Sequence, residues 1–190
     1  MPEGGRRLRT AVFLDRDGTL NRTEVRDGAP RPPTDLEQLE ILPGVPEALE
    51  RLKRAGLLLV VVTNQPDVAR GSLDRRSVDE LHAFLQRQLP LDAIYCCFHD
   101  DVDDCPCRKP RPGMLVEAAA RFGIELSRSF MVGDRWRDVE AGRLAGCTTV
   151  LLRQPYSGAT QAPADFEAAD LADATQLILG CRAEWPEAVQ

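Results

Sequence analysis

The chain has 190 residues, 43% hydrophobic and 28% charged, with a formal net charge of −6. That size and balance describe one globular unit around one sizeable core. No apolar run nears the ~20 residues that span a bilayer, and the acidic charge disfavours nucleic acid and anionic membranes as bulk partners, though not a small anion held by local cations.

In chain order, MPEGGRRLRT carries charge with no apolar stretch behind it, unlike a secretory leader, so a cytoplasmic location is expected. Residues 1–9 read as a flexible N-terminal extension, 10–182 as a single domain and 183–190 as a tail. TAVFLD (10–15) reads as a buried strand ending at an aspartate, and DGAPRPPTD (27–35) as a Pro-rich loop too long for a simple turn, bordering any site nearby. PGVPEALERLKRAG (43–56) has the Pro-start and Gly-stop of a helix, followed by a strand, LLLVVVTN (57–64). SLDRRSVDELHAFLQRQL (72–89) is an amphipathic helix with Val78, Leu81, Leu85 and Leu89 on one face, and AIYCCF (93–98) is a strand. PGMLVEAAARFG (112–123) is a helix, SFMVGD (129–134) a strand, RDVEAGRLAG (137–146) a helix and CTTVLL (147–152) a strand. From 153 to 190 the pattern is less regular, with a short helix near 170–181.

Strands alternating with helices predict an α/β fold, a Rossmann-like parallel sheet flanked by helices. Ligands in such folds sit beyond the carboxyl ends of the strands. Asp15, Thr63-Asn64, Arg108-Lys109 and Asp134 come to that edge from four separate segments. Asp15 and Asp17, two residues apart in FLDRDGTLN, can divide labour as nucleophile and general acid/base. Asp15, Asp134 and the backbone carbonyl near Asp17 suit magnesium, which takes oxygen ligands. Magnesium and Lys109 would neutralise a phosphate ester enough for a carboxylate to approach, with Thr63 and Asn64 donating hydrogen bonds to its oxygens. Taken singly, each aspartate reads as a helix cap or a solvated side chain; the ordered set does not.

FLDRDGTLN, VVTNQ, CRKPRPGM and MVGDRWRD, in that order, resemble the four signatures of the haloacid dehalogenase (HAD) superfamily phosphatases over about residues 10–152. A cysteine–histidine loop just before RKP places the resemblance in the branch that includes heptose bisphosphate and histidinol phosphate phosphatases. The resemblance implies an aspartyl-phosphate at Asp15, released by water activated at Asp17, with magnesium held by Asp15, the carbonyl of Asp17 and Asp134. It implies that Thr63 and Lys109 steady the phosphoryl group, that Gln65, Arg108 and Arg135 contact the substrate, and that Asp138 orients Lys109 or a water. The implied partner is a small phosphorylated metabolite, with no nucleic acid, no membrane and a monomeric chain.

Six cysteines in a reducing compartment are not a disulfide framework, and four of them crowd into residues 96–107. C-x-H at 97–99 and C-x-C at 105–107 give Cys97, His99, Cys105 and Cys107, a closed ligand set for structural zinc. Cys96 competes with Cys97, although strand alternation turns it to the opposite face. The knot would fix Arg108 and Lys109, which follow Cys107 directly; metal-free reduced thiols are the alternative. Cys147, Cys181 and the lone helical His82 read as packing residues, and Asp100, Asp101, Asp103 and Asp104 as a solvated tip.

Two features depart from the branch. Pro66-Asp67 follows TNQ where a small residue and glycine are usual, and RTEVRDGAPRPPTD lacks the tyrosine of a heptose-selecting loop. Both leave hydrolysis intact and bear on the substrate. No segment between motifs is long enough for a large cap domain. The expected activity is phosphomonoester hydrolysis, foremost of a heptose bisphosphate, with histidinol phosphate as the alternative. Two non-catalytic readings stand beside it: a phospholigand-binding protein and a zinc-ribbon-like interaction module.

Overall fold

The computed structural model describes residues 8–26, 29–157 and 163–183. In chain order they form β1 (Ala11–Leu14), β2 (Glu24–Arg26), β3 (Ala29–Arg31), α1 (Val45–Arg54), β4 (Leu58–Asn64), α2 (Arg75–Gln88) and β5 (Ala93–Cys97). Then come α3 (Gly113–Phe122), β6 (Phe130–Gly133), α4 (Trp136–Ala145), β7 (Thr148–Leu152), β8 (Phe166–Ala168) and α5 (Leu171–Ala183). The expected N-terminal extension and C-terminal tail lie almost entirely outside the described residues; Arg9 is paired, its backbone bonded to Gly123 O at 2.8 Å and to Glu125 N at 2.8 Å.

Six strands form one parallel sheet in the order β5-β4-β1-β6-β7-β8. The chain winds outward through β4 and β5, then crosses back to the other side of β1 to lay down β6, β7 and β8. The reversal falls at β1, so the crevice at the carboxyl ends of β4, β1 and β6 is where this fold takes a ligand.

The near-continuous apolar runs follow from burial on both faces. Successive side chains alternate: Val12, Leu14, Leu59 and Val61 enter one core with α1 and α5, while Ala11, Phe13, Leu58, Val60 and Val62 enter the other with α3. Asp74 starts α2 by accepting from Arg76 N, three residues inside the expected start, because Ser72 and Leu73 are bonded back to the carbonyl of Asp67.

The Pro-rich stretch expected as a loop carries a strand: β3 pairs with β2 as a two-stranded antiparallel ribbon. Pro30 opposes Val25 there, and a two-stranded ribbon accepts a residue that cannot donate. The region expected to be irregular supplies β8, which pairs with β7 at the sheet edge. Among the described residues only the ribbon and α1 stand between β1 and β4, and only α2 between β4 and β5, and none of them forms a large cap.

Ser129 ties the sheet entrance together. Its hydroxyl accepts from Ala11 N (3.1 Å) and donates to Glu125 O (2.7 Å). Ser129→Ala strands that buried donor and acceptor, and a urea titration is expected to show a loss of about 1–3 kcal/mol.

Candidate active site

Asp15 is fixed by the sheet: its N–H donates to Val132 O (2.9 Å), which aligns the end of β1 with the end of β6. The turn after it needs Gly18, whose φ is +84°, because a Cβ there would lie 2.3 Å from Asp134 Oδ2. Gly133 is required for a similar reason, since a Cβ would fall 2.4 Å from the Asp138 carboxyl. Small residues thus let three carboxylates approach: Asp15, Asp134 and Asp138 each bring an oxygen within 4.8 Å of the others, all buried.

Lys109 enters this group from the segment after the cysteine loop. Its Nζ donates to Asp15 Oδ1 at 2.6 Å and to Asp138 Oδ1 at 2.5 Å. Burial works against its charge, but Asp138 and Asp15 outweigh that and hold the ammonium above its ordinary range. Asp138 also accepts from Arg135 N (3.0 Å). Asn64, expected on the phosphate, holds Lys109 by its backbone: Nδ2 donates to Lys109 O (2.9 Å) and Oδ1 accepts from Lys109 N (3.1 Å).

Asp17 receives four donors. Arg16 Nε (3.0 Å) and Asn21 Nδ2 (3.0 Å) reach Oδ1; Arg16 Nη2 (2.9 Å) and Gln65 Nε2 (2.7 Å) reach Oδ2. Burial opposes the charge, but the Arg16 guanidinium and the other donors hold the carboxyl below its ordinary range. Gln65, expected to touch substrate, is buried and bonded to Asp17 and to Thr63 Oγ1 (2.9 Å). The Thr63 hydroxyl accepts that bond, which leaves its own proton to donate into the pocket.

Asp15, Asp17, Thr63, Asn64, Lys109, Arg135 and Asp138 line one cavity of about 180 Å³, and the ribbon adds Pro30, Arg31 and Pro32. Arg31, Pro32 and Asp67 continue into an outer groove of about 630 Å³. Arg108 does not line the cavity. It donates to Asp101 Oδ1 (2.8 Å) and His99 O (3.1 Å), within the cysteine loop. The acidic tip is therefore not simply solvated: Asp101 also takes Arg137 (2.8 Å), and Asp100 takes Arg70 through both oxygens (2.7 Å each). Asp67 lies 3.4 Å from Arg70, which offsets its charge at the pocket edge.

Asp134 shows what the pocket lacks. Both its carboxylate oxygens are buried and neither accepts a well-formed hydrogen bond, the Tyr156 hydroxyl being the donor that stands beside them. Burial, then the charge of Asp15, push its pKa up to about 8; burial, opposed by Lys109, pushes Asp15 up to about 6. Two bare oxygens beside a second carboxylate fit a divalent cation.

The four residues expected as a second metal knot also converge. Cys107 Sγ lies 3.2 Å from Cys97 Sγ, 3.3 Å from Cys105 Sγ and 3.4 Å from His99 Nδ1. Cys97 Sγ is 3.6 Å from both Cys105 Sγ and His99 Nδ1. Sulfurs about 2.3 Å from a tetrahedral metal stand about 3.7 Å apart, close to these spacings. Cys96 is outside the set. Burial pushes its pKa up to about 12, with Arg16 and Asp17 the nearest charges felt, on the opposite side of β5.

Residues 22–146 match the model of the haloacid dehalogenase-like hydrolases. The chain belongs to that family. It is 36% identical to the D-glycero-beta-D-manno-heptose-1,7-bisphosphate 7-phosphatase of Pasteurella multocida, over 92% of this chain and 100% of that one. The enzyme of the same name from Escherichia coli K12 is 37% identical, over 88% and 93%. The crystal structure of D,D-heptose 1,7-bisphosphate phosphatase from B. bronchiseptica, complexed with magnesium and phosphate, superposes with a TM-score of 0.78 at 31% identity, covering 90% of this chain and 98% of that one. The chain is a phosphatase of the haloacid dehalogenase-like family.

Sequence reasoning missed the supports of Asp17: Asn21, and Arg16 with its contact to His82. The signal was present for Arg16, since strand alternation turns the residue between two pocket aspartates inward, where a guanidinium must find acceptors. Tyr156, 2.9 Å from Thr23 at the pocket edge, had no signal.

A carboxyl held above its ordinary 3.8 binds its proton more tightly in the folded chain. The stabilisation is complete below 3.8 and fades as pH rises through about 6 for Asp15 and about 8 for Asp134. Chelator-treated protein is therefore expected to lose melting temperature between about pH 5 and 8.5. Millimolar magnesium should restore most at the upper end, and Asp134→Asn, which cannot ionise, should flatten the fall in the chelated sample.

Proposed function

We propose that this chain is a magnesium-dependent phosphomonoesterase of a small sugar phosphate, D-glycero-D-manno-heptose 1,7-bisphosphate, acting through an aspartyl-phosphate. The observation that carries the reading is the bare, buried Asp134 carboxylate beside Asp15, with Lys109 bonded to Asp15. The relatives named for that substrate, each over nearly its whole length, support the choice of sugar.

Asp15 and Asp134, with the main-chain carbonyl of Asp17, would hold magnesium. Bound there, the ion supplies charge neutralisation and a template for the phosphoryl oxygens. Asp15 is the nucleophile: its oxygen attacks phosphorus, and the substrate's ester oxygen departs. Lys109 balances the oxygens of the transferring group, and Thr63 donates to one of them. Asp17, which its donors hold ionised in the empty pocket, would take a proton from a phosphate monoanion as it binds, give it to the leaving oxygen, and then take one from the water that hydrolyses the aspartyl-phosphate. Asn64 and Asp138 act at one remove by placing Lys109. The small cavity, lined by Arg135, suits one phosphoryl group, and the adjoining groove, which shares Arg31 with it, suits the rest of a sugar bisphosphate.

Cys97, His99, Cys105 and Cys107 would hold structural zinc. Its contribution is positional: the closed knot braces Arg108 through His99 O and sets the start of the segment that delivers Lys109. The protein works as a cytoplasmic monomer on a diffusible metabolite. Among the described residues no helix is long and apolar enough to cross a membrane.

A steady-state screen of phosphorylated metabolites with magnesium is expected to rank both heptose bisphosphate anomers above histidinol phosphate. Asp15→Asn should lower turnover at least about 1,000-fold with the fold intact; wild-type turnover in that variant would remove the nucleophile assignment. Elemental analysis should find about one zinc per chain. Cys105→Ser should lower zinc content, melting temperature and activity together, whereas zinc-free wild type with full activity would sink the knot.

A further inference from the structure

Arg16 stands between the two pocket aspartates, yet its side chain is 0% exposed. Arginine stays protonated in proteins and only donates, so a guanidinium withdrawn from water needs acceptors around its edge. Two side chains supply them. Asp17 takes Nε at 3.0 Å and Nη2 at 2.9 Å, and His82 Nε2 lies 3.1 Å from Nη1. Since the guanidinium can only donate, His82 must meet it with an unprotonated Nε2. Burial, then the Arg16 charge, push the His82 pKa down to about 4, in keeping with a neutral ring.

The four donors on Asp17 are not equivalent. Asn21 and Gln65 each hold a single oxygen. Arg16 makes two parallel bonds, one to each oxygen, and only such a fork fixes the plane of a carboxylate as well as its place. The orientation of the fork depends in turn on its far corner, Nη1, which faces His82 on α2.

We propose that His82 is a positioning residue for catalysis: its Nε2 holds the Arg16 guanidinium, and that guanidinium sets the plane in which the Asp17 carboxylate exchanges protons with substrate and water. The inference rests on Asp17 being the general acid/base. Without an acceptor at His82, a buried charged N–H is left unpaired, and the guanidinium turns to find another partner. Asp17 turns with it. The phosphate-binding groups, Lys109 and Thr63, are on other segments and stay in place, so the loss falls on turnover rather than on binding.

Gln and Asn separate this role from packing. The amide of Gln can place an acceptor near the position of Nε2; that of Asn, one methylene shorter, cannot, although the two share polarity. In His82→Gln, kcat is expected to remain within about threefold of wild type. In His82→Asn, kcat is expected to fall about ten- to a hundredfold, the range for a catalytic group displaced by about 1 Å, with KM within about twofold in both. Equal kcat in the two variants, whether both unchanged, both lowered or both lost through misfolding, would overturn the role, as would a rise in KM with kcat unchanged. A wild-type protein inert toward every phosphorylated compound in the screen would refute the phosphatase reading instead, which keeps the two failures distinct.

Discussion

Everything at this site depends on one buried ammonium among three buried carboxylates. Lys109 bonds Asp15 and Asp138, while Asp134 stands beside them without a well-formed hydrogen bond, next to the Tyr156 hydroxyl. A single cation cannot neutralise three acids in a buried pocket, and burial, followed by the neighbouring carboxylates, raises the pKa values of Asp15 and Asp134. A divalent ion would supply the two positive charges that Lys109 leaves missing among the three carboxylates. A pocket electrostatically incomplete alone is one that discriminates sharply between empty and occupied.

Much of the surrounding architecture holds that ammonium in place. Asn64 clamps its backbone from the end of β4, and Asp138 reaches it from α4 across a gap that only Gly133 leaves open. The cysteine loop precedes it, bonded through Asp101 to Arg108 and to Arg137 on α4. Strands β1, β4 and β6 each contribute at the point where the sheet reverses direction. Sheet topology and site chemistry are therefore one constraint seen at two scales.

The strands and helices were legible because burial on both faces writes itself as apolar runs, and helix ends as Gly and Pro. The ribbon β2–β3 was not, since a short strand containing Pro30 has neither alternation nor length, and β8 is a three-residue edge strand with an exposed Glu167. Asp15, Asp134 and Lys109 were legible as residues at strand ends or in a recognisable motif. The partners of Asn64, Gln65 and Arg108 were less so: each was expected on the substrate, and each is bonded to protein, Asn64 while also lining the cavity. Which partner a polar side chain finds is decided by tertiary convergence, which no local pattern encodes. His82 is the same case in reverse, a residue whose neighbours alone reveal it.

Among the described residues the crevice is bordered by a ribbon of two short strands rather than by a domain. Exchange of substrate and product would therefore need no large hinge movement. Such a border is also cheap to rewrite. Replacements along the ribbon would reshape the mouth while leaving the acid cluster beneath it untouched.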